Sequence, residues 1–114
     1  MSSAQITWED FEKLDIRTGT IIEASEFPKA RIPAYKLRID FGEQIGVKAS
    51  SAQITEVYKL DELIDKQVLA VINFPPKQIA NFISECLVLG IKQPGKGVVL
   101  ITSDEATPNG IKLS

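Results

Sequence analysis

The stretch from Gln67 to Gly90, QVLAVINFPPKQIANFISECLVLG, constrains the fold of this chain more than any other. Its first part, QVLAVINF, is an apolar, β-rich run suited to a strand buried on both faces. Pro75 and Pro76 end that run, because proline has no N–H for a ladder and cannot continue a central strand. A second apolar run, CLVLGI, follows, so two strands are separated by a connection from Phe74 to Glu85. Connections in compact domains are usually shorter, and long ones are often functional. Proline also suits the first turn of a helix, and PKQIA is expected to form a single helical turn. Asn73, Lys77, Gln78 and Asn81 would then stand beside one end of a sheet, with Ile79, Phe82 and Ile83 plugging it.

The rest of the chain supplies more strands. In AYKLRIDF, Tyr35, Leu37, Ile39 and Phe41 alternate with Lys36, Arg38 and Asp40, which gives one buried face and one mostly basic face. IRTGTIIEA is β-branched, and Gly19 in mid-run marks a bend or bulge. SEFPKARIPA, with two prolines and no alternation, is expected to be a loop. Gly42 turns the chain into EQIGVKAS, a further strand. Ser50 and Gln53 match a capping box, so a short helix is expected from SAQITEVY, burying Ile54, Val57 and Tyr58. VVLIT is a strand after the Pro94-Gly95 turn, PNG at Pro108–Gly110 is another turn, and IKLS is a last extended piece. At the start, Trp8, Phe11 and Leu14 share one face of a short helix capped by Thr7, with Glu9 and Asp10 in its first turn.

Three strands, a helical element and two more strands is the order of an OB-fold, a five-stranded Greek-key barrel that binds oligonucleotides on one face. Strand order alone also admits another small barrel. The expected class is mainly β, with short flanking helices and extra C-terminal strands. A chain of 114 residues is expected to form one domain. Within it, residues 1–14 would be a helical segment, 15–91 the barrel and 92–114 an extension.

A net charge of −2 hides an uneven distribution. Residues 1–28 sum to −4, 29–48 to +3, 49–65 to −3, 66–96 to +3 and the remainder to −1. Local basic surface matters more to a polyanion than the total, although both basic segments read equally as solvated faces. Lys29 and Arg31 fall in the first loop. Lys36 and Arg38 lie about 6–7 Å apart on one strand face, close to a phosphate spacing.

Catalytic chemistry finds little support. The chain has no histidine, which removes the usual near-neutral acid–base group. Walker, G-x-G-x-x-G and G-x-S-x-G patterns are absent. Asp61, Glu62 and Asp65 read as a solvated patch, so neither metal nor cofactor is expected. Cys86 is the single cysteine and is expected to be a buried small apolar residue. No run is long enough to span a bilayer, and the N-terminus lacks a basic start and apolar h-region. A cytoplasmic location without membrane insertion is expected.

FEKLDIRTGTI, FPKARIPAYKLRIDFG, KASSAQIT, NFPPKQIANFISECLVLG and the closing PNG resemble the bacterial CsaA family. That family lies within the wider group of tRNA-binding domains of endothelial-monocyte-activating-polypeptide-like proteins and some aminoacyl-tRNA synthetases. The resemblance runs from about Phe11 to the C-terminus. It implies an OB-fold homodimer that binds tRNA by shape and backbone, with a chaperone activity linked to protein export. By position, Asn73 matches the Asn ending strand four, and Ser84 and Glu85 match the Ser-Glu opening strand five. Lys36, Arg38, Lys48 and Lys77 fall where the group places basic residues. The wider group continues Ser-Glu with Gly-Met, whereas this chain has Cys86-Leu87.

The expected RNA-binding set is therefore Lys29, Arg31, Lys36, Arg38, Lys48, Asn73, Lys77, Ser84 and Glu85. A competing reading is a polypeptide-binding chaperone whose apolar ground is Phe27, Phe74, Ile79 and Phe82, holding unfolded or precursor chains. The face of Trp8, Phe11 and Leu14 is expected either to pair two copies or to cap its own barrel.

Overall fold

The computed structural model describes residues 3–114, so the first two positions of the expected N-terminal segment lie outside the described residues. Five strands form the main sheet: β1 (Ile16–Glu26), β2 (Tyr35–Asp40), β3 (Val47–Ala52), β4 (Gln67–Val71) and β7 (Leu87–Val88). Their order is β3-β2-β1-β4-β7, antiparallel throughout. β1 is long enough to serve two neighbours. Its first half pairs with β4 from Ile16↔Val71 to Thr20↔Gln67, and its second half pairs with β2 from Thr20↔Asp40 to Glu26↔Tyr35. The expected OB-fold barrel is thus formed, nearly closed between its two edge strands.

The alternation of AYKLRIDF is realised: Leu37, Ile39 and Phe41 are fully buried beside Ile21, Ile54 and Val68, while Lys36 and Arg38 face outward. Gly19 permits the barrel to be this tight. A Cβ there would stand 2.6 Å from Ile39 Cγ2 and 2.8 Å from the Phe41 ring. The bulge itself falls three positions after the expected bend, where Ile22 is the extra residue between Ile21↔Ile39 and Glu23↔Arg38.

Two expected helices are corrected. PKQIA is not a helical turn: Lys77–Ile79 is strand β5, paired with β6 (Phe82–Ser84) in a hairpin turned by Ala80 and Asn81. The prolines do not end β4 either, which stops at Val71, four residues ahead of Pro75, and the mixed polar and apolar run after them forms a two-stranded ribbon. Ala80 takes φ +53°, a left-handed conformation that a non-glycine residue adopts in tight turns. The Ser50–Gln53 capping box is not used either. Ser50 lies inside β3, and the helix α2 opens later, at Leu60–Leu63, where the Glu62 carboxylate accepts the Lys59 N–H at 2.7 Å. Ile54 is buried as expected, and Val57 and Tyr58 are half-buried.

The first helix, α1 (Trp8–Glu12), has the expected Thr7 cap, whose hydroxyl accepts the Asp10 N–H at 3.1 Å while Asp10 answers to Thr7 N–H at 3.0 Å. CLVLGI divides. Only Leu87–Val88 joins the barrel, and Gly90–Gln93 (β8) leaves it to pair with β9 (Gly97–Leu100) around the expected Pro94-Gly95 turn. The last residues run beside the free half-edge of β1: Gly110 N–H donates to Thr18 O at 2.7 Å and Leu113 N–H to Ile16 O at 2.8 Å.

Candidate nucleic-acid interface

The outward face of β2 and β3 is overlaid at one end by the loop 27–34 and by the β5–β6 hairpin. Register sets who meets whom: Lys36 stands across from Ser25 and Ser51, and Arg38 from Glu23 and Ala49. Arg38 Nε lies 3.4 Å from Glu23 Oε2, an exposed ion pair. Lys36 Nζ lies 5.7 Å from the Phe27 ring centroid and 6.0 Å from that of Phe82, and the two rings meet edge to face at 5.4 Å. A cation held over aromatic faces gains about 0.5–1 kcal/mol at exposed sites. The two strand cations are therefore already engaged within the chain.

Three others are not. Lys29 and Arg31, on the loop, face Lys77 of β5 across a cleft of about 500 Å³ whose lining contains no carboxylate. Among the described residues the ion pairs are Lys13–Asp10, Arg17–Asp15 and Arg38–Glu23, and none involves these three cations. The β3 residues Ser51 and Gln53 belong to its lining. Next to it, sharing Ser51, Gln53, Lys77 and Ile79, is a second cavity of about 410 Å³ walled by Phe74, Pro75 and Leu87. Phe74 is 51% exposed and Leu87 48%.

Ser84 and Glu85 occupy the seam between β3 and β7, where no strand ladder closes the barrel. Ser84 Oγ accepts the Ser51 N–H at 3.1 Å, Glu85 Oε1 accepts the Ala49 N–H at 2.9 Å, and Glu85 N–H donates to Ala49 O at 2.8 Å. From the inside, the fully buried Ser50 hydroxyl donates to Cys86 O at 2.9 Å. These contacts satisfy backbone groups that a missing ladder would leave orphaned. Cys86 is buried as expected, and burial pushes its thiol up to about 11 despite a lowering contribution from Ser50.

Asn73 is likewise engaged inside the chain: its Oδ1 accepts the Asp15 N–H at 3.0 Å and its Nδ2 donates to Lys13 O at 2.7 Å. It ties the end of α1 to the end of β4. Lys48 is the register partner of Ile39 and shares the inward parity of Ser50 and Ala52 at the barrel end, so it is not grouped with Lys36 and Arg38. Of the expected apolar residues, Phe27 is buried and Phe82 half-buried against it, leaving Phe74 and Ile79 at a cavity wall. Ile83 does not plug the barrel end, being 49% exposed on the strand face opposite Phe82 and Ser84. Trp8 is 81% exposed, and with Ile6, Phe11 and Ser114 it borders an open apolar depression of about 720 Å³.

Sequence reasoning passed over Ser51, Gln53 and Leu87. The first two were hidden by the capping-box reading. Their signal is the period-2 alternation carried on from Val47, in which Ser50 and Ala52 point in and Ser51 points out. Among the described residues, no helix is long and apolar enough to cross a membrane.

Residues 16–112 match the family model described as "Putative tRNA binding domain". Among curated proteins, the methionine–tRNA ligase of Pyrococcus horikoshii is 33% identical over 108 residues, 95% of this chain and 14% of that protein. The methionine–tRNA ligase of Flavobacterium johnsoniae is 34% identical over 96% of this chain and 15% of its own length. The chain thus spans about a seventh of these relatives. Among solved structures, the chaperone CsaA of Bacillus anthracis is 50% identical with a TM-score of 0.91, covering 97% of this chain and 100% of that one. The CsaA chaperone protein of Picrophilus torridus is 60% identical with a TM-score of 0.90, covering 96% and 100%. The Cys86-Leu87 step after Ser84-Glu85 and the unbroken NFPP connection belong to a barrel that superposes on these chains end to end. The chain belongs to the tRNA-binding domain family, on its CsaA-like branch.

Proposed function

We propose that the protein is a non-catalytic, cytoplasmic tRNA-binding module that works as a homodimer. Its RNA-facing side chains are Lys29, Arg31 and Lys77, with Lys36 and Arg38 flanking them on β2. One observation carries this reading. Three cations outside every described ion pair converge on a single carboxylate-free cleft at the ligand face of an OB barrel, in a chain whose total charge is negative. Phosphate neutralisation by such groups releases counterions and makes binding fall steeply with salt. Asn73, Ser84, Glu85 and Lys48 then act indirectly, holding the frame on which the cleft is built.

The test is a titration of bulk tRNA at several salt concentrations against the native chain, Lys29→Gln/Arg31→Gln/Lys77→Gln, and Lys36→Ala/Arg38→Ala. The triple variant should reduce the slope of log K against log salt by about 2–3. The double variant should reduce it less, because Arg38 is paired with Glu23 and Lys36 sits over two rings. No binding of tRNA by the native chain at low salt refutes the reading.

A second reading, export-linked chaperone activity on unfolded polypeptides, is favoured by the exposed Phe74 and Leu87 beside Ile79 and by the description of two structural neighbours as chaperones. Apolar capture would persist or strengthen in high salt, which separates it from phosphate binding. For the dimer, the support is the exposure of Trp8 at the rim of an apolar depression that its own barrel leaves open. Trp8→Ala/Phe11→Ala should halve the mass seen by light scattering, and an unchanged mass sinks the pairing of α1.

A further inference from the structure

We propose that the 410 Å³ cavity beside the cationic cleft receives the base of one unpaired nucleotide, whose phosphate lies between Lys29, Arg31 and Lys77. This deepens the RNA-binding reading and rests on it. The two depressions share Ser51, Gln53, Lys77 and Ile79, so they form one site with a cationic half and a mainly apolar half, in which the Glu85 carboxylate is tied to the Ala49 N–H. That division matches a nucleotide, which joins a charged phosphate to a flat, weakly hydrated base by a short sugar.

The walls have the chemistry for it. Phe74 offers a half-exposed ring, Pro75 and Leu87 supply apolar contact, and Ser51 and Gln53 carry hydroxyl and amide groups able to meet a base edge. The volume lies in the range of small-ligand sites. A paired base cannot enter, since its faces are stacked and its edge is occupied. The RNA recognised must therefore present a single-stranded, bulged or terminal nucleotide at this place, as sequence-tolerant stacking sites require. Lys77 belongs to both halves, and the β5–β6 hairpin that carries it spans the boundary between phosphate and base pockets.

An extended polypeptide is the competing occupant of the apolar half. Lys77 on its wall, with Lys29 and Arg31 in the adjoining cleft, favours the polyanion, because an average polypeptide offers them no matching row of charge.

The experiment compares a short single-stranded RNA with the same sugar–phosphate strand lacking its bases, and with a blunt RNA duplex. The base-bearing strand should bind about 5- to 150-fold tighter than the abasic one, the range expected for one stacked base. Phe74→Ala should remove that advantage and leave the abasic strand unchanged, whereas Phe74→Trp should retain it. The triple cation variant should weaken both strands alike. Because Phe74 is half-exposed and outside the barrel core, its variants should fold with the native melting temperature.

Equal affinity for the two strands, or a Phe74→Ala variant that still favours bases, overturns the base pocket while tRNA binding by the native chain keeps the broader reading. Loss of tRNA binding in the native chain overturns both. Should a reduced, carboxymethylated polypeptide bind and Phe74→Ala abolish that binding alone, the cavity belongs to polypeptide and the proposal fails.

Discussion

Removing the Glu85 carboxylate tests how this barrel is closed. Between β3 and β7 there is no ladder, and the Ala49 N–H is satisfied by Glu85 Oε1 at 2.9 Å. A hydrogen bond to a charged acceptor contributes about 1.5–3 kcal/mol, and an orphaned buried donor costs about 1–3 kcal/mol. Both partners are half-buried, so water relieves part of the loss in Glu85→Ala, and about 2 kcal/mol is expected. Unfolding entropy near the midpoint is about 2.1 cal/mol/K per residue, or about 0.24 kcal/mol/K for 114 residues. The melting temperature should therefore drop by about 8 °C. Glu85→Gln keeps an acceptor in place and loses only the charge assistance, which is about half the bond, so about 4 °C is expected. Urea titration at fixed protein concentration, with an unchanged m-value, and calorimetry read both numbers. A Glu85→Ala chain within 0.5 kcal/mol of native, or a Gln variant as unstable as the Ala variant, would refute the account of the seam.

Three further outcomes follow from the same geometry. The Cys86 thiol is raised by burial from 9.0 to about 11, so above pH 9 the unfolded chain releases a proton that the folded chain retains. Stability should fall by up to about 2–3 kcal/mol between pH 9 and 11, and this component should be missing from Cys86→Ala; parallel pH profiles of the two chains would disprove it. Asn73→Ala removes the bonds to Asp15 N–H and Lys13 O, at about 1–2 kcal/mol, and should speed amide exchange in α1 while leaving β1–β4 protected; unchanged exchange there removes the tether. Gly110→Ala forces a side chain onto φ +85° and against Phe41 O, and should cost about 2–4 kcal/mol by urea titration; a neutral substitution would mean that the C-terminal tail is not held on β1 as described.

The alternation at Tyr35–Phe41 decided on its own which face of β2 is core, because a strand has only two faces and a one-residue slip would bury Lys36 and Arg38. The Pro94-Gly95 pair placed the β8–β9 turn and Thr7 capped α1, each through a local backbone preference that needs no distant partner. These local rules were enough for the barrel class. The errors lie where one local rule has two solutions. A proline followed by mixed residues can start a helical turn or lead into a strand, and what favoured the hairpin was pairing between Lys77–Ile79 and Phe82–Ser84. Ser50 could cap a helix or bury its hydroxyl, and Cys86 O, thirty-six positions away, settled it. The site divides in the same way. Sequence named the basic residues, since charge is a property of the residue alone. Only the tertiary structure distinguished Arg38, paired with Glu23 across a bulged strand pair, and Lys36, lodged over Phe27 and Phe82, from the three cations left lining one cleft. Neutralisation and desolvation depend on neighbours brought together by folding, and no spacing along the chain encodes them.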